Sequence, residues 1–140
     1  METLPITQED EELIEAARAA IAQRFVPGRH HIGAAVRTKS GKVFTAVHLE
    51  ANVGRVAVCA EAIAIGKAMS EGETELDTVV AVAHPKAGEE NQQIRVVAPC
   101  GICRELISDY GPDAKVIFSD GGAVRKAAIS ELLPHKFTRR

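Results

Sequence analysis

Apolar residues follow two rhythms along this chain. Leu13, Ile14, Ala17, Ala20 and Ile21 recur at helical spacing behind Thr7-Gln8-Glu9-Asp10, where a hydroxyl can cap the helix and acids occupy its first turn; a helix is predicted to about Gln23. Pro27-Gly28 breaks that pattern, and residues 32–37 and 42–50 then read as two strands joined by a turn at Thr38-Lys39-Ser40-Gly41, a β-hairpin. The alanine-rich residues 58–70, with Ile63, Ile65, Ala68 and Met69, predict a largely buried helix that Gly72 ends. Residues 78–83 are short, β-branched and apolar throughout, as in the middle of a sheet covered on both faces, and the polar residues 84–93 predict a loop. Pro99 precedes a second helical stretch over residues 100–110, with Ile102, Leu106 and Ile107 toward the core and Gly111-Pro112 as its stop. Residues 115–118 predict a strand. Beyond Asp120-Gly121-Gly122 come a strand near residues 125–128 and a last helix over residues 130–133. The alternation is βαβ-like around a mixed sheet, an α/β fold. No repeat or linker interrupts it, so residues 1–140 are read as one domain.

Charge narrows the function classes. A formal net charge of -2 and a pI near 6.2 give no global attraction to a nucleic-acid backbone or an anionic membrane. One Tyr, four Phe and no Trp leave little for stacking on single strands, which argues against polynucleotide editing. The apolar run near residues 56–65 is interrupted by Glu61 and is too short to span a bilayer. Met1-Glu2-Thr3-Leu4-Pro5 lacks the basic and apolar regions of a signal peptide, and a cytoplasmic location is expected.

The three cysteines cannot all pair as disulfides, which turns attention to thiolate chemistry or metal binding. Cys100 and Cys103 form a C-x-x-C at a helix start, a spacing shared by metal ligands, redox pairs and simple buried thiols. Cys59-Ala60-Glu61 brings a third thiol to another helix N-terminus, where the helix dipole favours thiolate. Three thiolates with one open position would make a catalytic Zn2+ site; a closed structural site would need a fourth ligand, which one of His30, His31, His48, His84 or His135 would supply. Glu61, two residues past Cys59, is placed to move protons at a metal-bound water, or else to stabilise its helix N-terminus.

Cys59-Ala60-Glu61 together with Pro99-Cys100-Gly101-Ile102-Cys103-Arg104 resembles the small cytidine deaminase family, as do Gly33-Ala34-Ala35-Val36 and Glu131-Leu132-Leu133-Pro134 with Phe137. The resemblance spans nearly the whole chain. It implies a mixed five-stranded sheet flanked by helices on both faces and a homotetramer or dimer in which Phe137 completes a neighbour's site; the alternative is that Leu132, Leu133 and Phe137 cover their own core. It implies conversion of cytidine or deoxycytidine to the uridine product with release of ammonia. Cys59, Cys100 and Cys103 would hold Zn2+ and Glu61 would serve as general acid and base. Glu50 would bind the ribose, the Ala60 N–H would face the base carbonyl, and the Ala98 carbonyl would accept from the leaving amine.

Several positions depart from the family pattern. His48 stands where the family carries a ribose-binding Asn, and His30 is the nearest counterpart of its base-stacking Phe. Ala62 replaces an Arg that offsets thiolate charge, a role Arg104 would take over in part. With Arg29, His31 and Arg55, these histidines form either a cationic pocket mouth that tolerates an anionic substituent or a solvated basic loop. The alternatives to plain cytidine are a modified or antibiotic cytosine nucleoside and a non-catalytic zinc- or ligand-binding protein of the same fold.

Overall fold

The structure, a computed structural model, describes residues 1–139. Elements follow the order α1 (Gln8–Arg24), β1 (Ile32–Thr38), β2 (Val43–Val47), α2 (Ala60–Ser70), β3 (Leu76–Ala83), β4 (Arg95–Val97), α3 (Gly101–Tyr110), β5 (Lys115–Asp120), β6 (Ala123–Ala128) and α4 (Ile129–Leu132). The continuous sheet path is β2-β1-β3-β5-β6, five strands, all antiparallel except the β3–β5 pair. The sixth, β4, lies off that path. Its origin is geometric: β5 pairs with β3 over Thr78–Val80 only, and the remaining edge of β3 takes up Val97, Val96 and Arg95 opposite Ala81, Val82 and Ala83. A three-residue strand leaves too little periodicity to be read from sequence.

Both sheet faces are covered, which is why residues 33–36 of β1 and residues 79–83 of β3 are apolar. On one face Leu13, Ile14, Ala17 and Ile21 of α1 pack against Ala35, Val80, Val82 and Ile117. On the other, Ala60, Ala64 and Ile65 of α2 and Ile107 of α3 meet Ala34, Val36, Val79 and Ala81, and Ile129 and Leu132 of α4 extend the same cluster. Among the described residues no helix is long and apolar enough to cross a membrane.

Two boundaries shifted from the sequence pattern shape the site. β2 stops at Val47 instead of running to residue 50, and α2 begins at Ala60 instead of residue 58. Leu49 and Val58 exchange backbone hydrogen bonds of 2.9 and 3.0 Å, so Val58 spends its backbone groups on a strand-like bridge and Cys59 becomes the extended N-cap. The final hairpin turns on Gly121 and Gly122, both at positive φ, as a two-residue connection with the sheet's twist requires.

α1 is tied to the sheet by charge as well as by packing. Asp10 closes a reciprocal cap with Thr7 and, fully buried, also receives Lys126 Nζ at 2.7 Å and Arg37 at 3.0 Å. Burial alone would raise its carboxyl, but the hydrogen bonds from Lys126, Thr7 and Arg37 outweigh that and hold it at about 2. Asp10→Asn should cost roughly 3–5 kcal/mol in denaturant unfolding, because it leaves the buried Lys126 without a carboxylate and the half-buried Arg37 with Asp77 alone. In the parent protein the Asp10 contribution is complete above its ordinary value of 3.8 and should disappear as pH falls through about 2, with acid unfolding followed by circular dichroism as the measurement. Gly33 sits where β1 meets α1: a Cβ there would lie 2.7 Å from the Ala17 carbonyl oxygen and 2.9 Å from Ile21 Cβ. Gly33→Ala should therefore lower stability by about 1–3 kcal/mol in the same assay.

Candidate active site

The N-termini of α2 and α3 converge at one end of the sheet. Cys59 and Cys100 are their N-caps, both extended and without a side-chain capping bond, and Glu61 and Cys103 occupy the first turns. Each helix therefore directs its unpaired N–H groups and the positive end of its dipole toward the thiols. Cys59 Sγ lies 3.5 Å from Cys100 Sγ, and the three sulfurs fall within 4.8 Å of one another. Thiolates around one tetrahedral zinc ion, at a bond length near 2.3 Å, would be separated by roughly 3.8 Å. The donor set fits such an ion. Among the described residues no histidine or carboxylate joins the three sulfurs in a group within 4.8 Å, so the cluster offers three sulfur donors without the fourth protein ligand weighed from the sequence.

Electrostatics points the same way. Burial pushes the Cys103 thiol up, and the charges of Glu61 and the other two thiols push it further. Burial also raises Glu61, only 5% exposed, although hydrogen bonds from its own backbone and from Cys103 oppose the shift. Three thiolates beside a carboxylate need a bound cation to ionise together.

The thiols open into a cavity of about 230 Å³ lined by Ile32, His48, Val58, Ala60, Glu61, Val97, Ala98 and others. Its walls are apolar and its polar groups few, as suits a flat heterocycle. Glu61 lies in this cavity. Ala60 and Ala98 line it too, Ala98 being delivered by the short strand β4.

The remaining sequence-predicted residues fall around this centre. His48 lines the cavity and is 7% exposed; burial keeps its imidazole below the ordinary value. Glu50 sits beside it, with Oε2 3.7 Å from His48 Nε2 and 3.8 Å from His31 Nε2. His30 is not among the cavity-lining residues: its Nδ1 lies 2.9 Å from the His48 carbonyl oxygen. Arg104 donates to the carbonyls of Pro99 and Leu132 at 2.9 and 3.1 Å, which braces the Cys100 loop against α4. Phe137 is 79% exposed and so does not cover this chain's core, whereas Leu132 is buried. The apolar walls Ile32, Val58 and Val97 were not recognisable from sequence, since apolar residues in strands read as core. His31, read from sequence as a candidate fourth ligand and as part of a cationic pocket mouth or a basic loop, meets His48 edge to face at 4.1 Å.

Residues 7–119 match the family model described as the cytidine and deoxycytidylate deaminase zinc-binding region. The chain is 53% identical over 139 residues to a blasticidin-S deaminase of Bacillus cereus, covering 99% of both chains. It is 35% identical to a cytidine deaminase of Halalkalibacterium halodurans, covering 90% of this chain and 92% of that one. Among solved structures, a cytidine deaminase of Burkholderia pseudomallei superposes with a TM-score of 0.73 at 31% identity over 91% of this chain and 98% of the other. With three thiols and a buried carboxylate gathered at two helix N-termini on this fold, the chain belongs to the cytidine deaminase family of zinc-dependent hydrolases and is a hydrolytic deaminase of the cytidine type.

Proposed function

We propose that the substrate is a cytosine nucleoside, cytidine or deoxycytidine, whose exocyclic amine is replaced by a keto oxygen from water while ammonia leaves. The observation that carries this reading is the buried Glu61 in a small apolar cavity beside three clustered thiols. Zinc held by Cys59, Cys100 and Cys103 would supply the Lewis acidity that makes water nucleophilic near neutral pH. Glu61 takes one proton from the attacking water and gives it to the ring nitrogen, then takes the remaining proton from the new hydroxyl group and gives it to the departing amine, so that the carbon–nitrogen bond breaks as the keto group forms and ammonia leaves. Its burial suits both roles, because a raised carboxyl holds and releases a proton nearer neutrality. The Ala98 carbonyl accepts from the amine, the Ala60 N–H donates to the base carbonyl, and Glu50 with His48 lies on the sugar side. Arg104 acts at a distance, by fixing the Pro99 carbonyl and hence the Cys100 loop. The reading extends to a cytoplasmic homotetramer serving pyrimidine salvage, with the exposed Phe137 available to a neighbouring copy.

A second reading, blasticidin S as the preferred nucleoside, is favoured by the 53% identity to the Bacillus cereus enzyme and by the imidazoles of His31 and His48 beside Glu50. Ammonia release from cytidine, deoxycytidine, their monophosphates and blasticidin S separates the two: the largest kcat/KM identifies the substrate. Absence of turnover on every cytosine nucleoside by zinc-loaded protein would refute both. Glu61→Gln should retain zinc and lose about 100- to 10,000-fold in kcat, measured on whichever substrate is turned over.

A further inference from the structure

Beside the thiols lies a second group of ligand-type side chains: donor atoms of His31, His48 and Glu50 fall within 4.8 Å of one another. The hydrogen bonds of His48 decide what this group can do. Its Nδ1 accepts from the backbone N–H of His31 at 3.1 Å and of Ile32 at 3.2 Å. An imidazole nitrogen that accepts carries no proton, so the proton of the neutral ring resides on Nε2. That atom then has no lone pair to offer a metal. Protonating the ring would force an N–H at Nδ1 against two other N–H groups, and burial disfavours the charge as well.

Nε2 is thus a donor, in a side chain more than nine-tenths buried, and it has no hydrogen-bond partner in the structure. The nearest oppositely charged atom is Glu50 Oε2 at 3.7 Å, slightly beyond hydrogen-bond length. The other oxygen, Oε1, accepts from the Ala51 N–H at 3.2 Å, so the carboxylate is anchored on one side and faces the two imidazoles on the other.

We propose that His48 is a positioning residue whose Nε2–H steadies the Glu50 carboxylate beside the catalytic cavity as an acceptor for a hydrogen-bond-donating group on the substrate's sugar, hydroxyl or ammonium, and that the cluster takes no second metal. The nature of the ligand rests on the cytosine-nucleoside reading above; the proton's location does not.

The test uses the full-length zinc-loaded enzyme. Long-range proton–nitrogen NMR should find the His48 proton on Nε2, and a proton on Nδ1 would overturn the proposal. Zinc titration to saturation should stop at about one ion per chain; a second equivalent that disappears in His48→Ala would overturn it too. His48→Ala and Glu50→Ala should each raise KM by roughly tenfold while kcat stays within about threefold, and the double variant should be no worse than Glu50→Ala alone. Additive effects would mean that His48 does not act through Glu50. His48→Gln, whose amide reaches toward the Nε2 position, should recover part of the loss; no recovery, with folding intact by circular dichroism, counts against the proposal. Cytidine analogues lacking one sugar hydroxyl at a time, run beside blasticidin S, separate the two donors: the one read by Glu50 loses its advantage in both alanine variants. If no nucleoside is turned over, the substrate reading fails, while the NMR spectrum and the zinc count still decide the role of His48.

Discussion

Negative charge concentrated in a half-buried space is the constraint around which this fold is arranged. Three thiols and a carboxylate share one end of the sheet, where burial raises Glu61 and Cys103 and the charges of Glu61 and the other two thiols raise Cys103 further. The chain meets that charge with backbone. Two helices begin at the same point, each capped by a cysteine, so that their N-terminal N–H groups and dipoles face the cluster. A divalent cation held by the three sulfurs would complete the balance. The same arrangement leaves Glu61 buried next to the reaction space, where a carboxyl can exchange protons without becoming a ligand.

Holding two helix starts together demands rigidity elsewhere. α2 and α3 are packed on one sheet face by an alanine-rich core, and small side chains there let helix and sheet approach closely. The opposite face is clamped by α1, where Asp10 combines a helix cap with ion pairs to strands β1 and β6. Arg104 joins the Cys100 loop to α4 through two carbonyls. The His48 side of the cavity has its own frame: His48 ties the start of β1 through Nδ1, and the His30 ring approaches the His48 carbonyl.

Local pattern was sufficient for much of this. The periodicity of residues 13–21 and the Thr7 cap marked α1, and the wholly apolar run at residues 78–83 marked β3 as a central strand. The motifs around Cys59, Glu61, Cys100 and Cys103 singled out the groups that the fold gathers at one place, because such motifs depend on residue type and short spacing. β4 escaped, being three residues whose pairing depends on where β5 ends.

What the sequence determined by itself was therefore which side chains make up the candidate site and the order of most helices and strands, since both are written in spacings of a few residues. Tertiary structure alone decided that the three sulfurs lie within 4.8 Å of one another, because Cys59 and Cys100 are brought together across 41 residues. It also decided the hydrogen-bond partners of the polar residues beside the cavity. From sequence His30 and His48 were both substrate contacts; in the fold His30 turns to a backbone carbonyl, while two N–H groups from the neighbouring strand determine which nitrogen of His48 carries the proton. A tautomer depends on partners distant in sequence, and only packing supplies them.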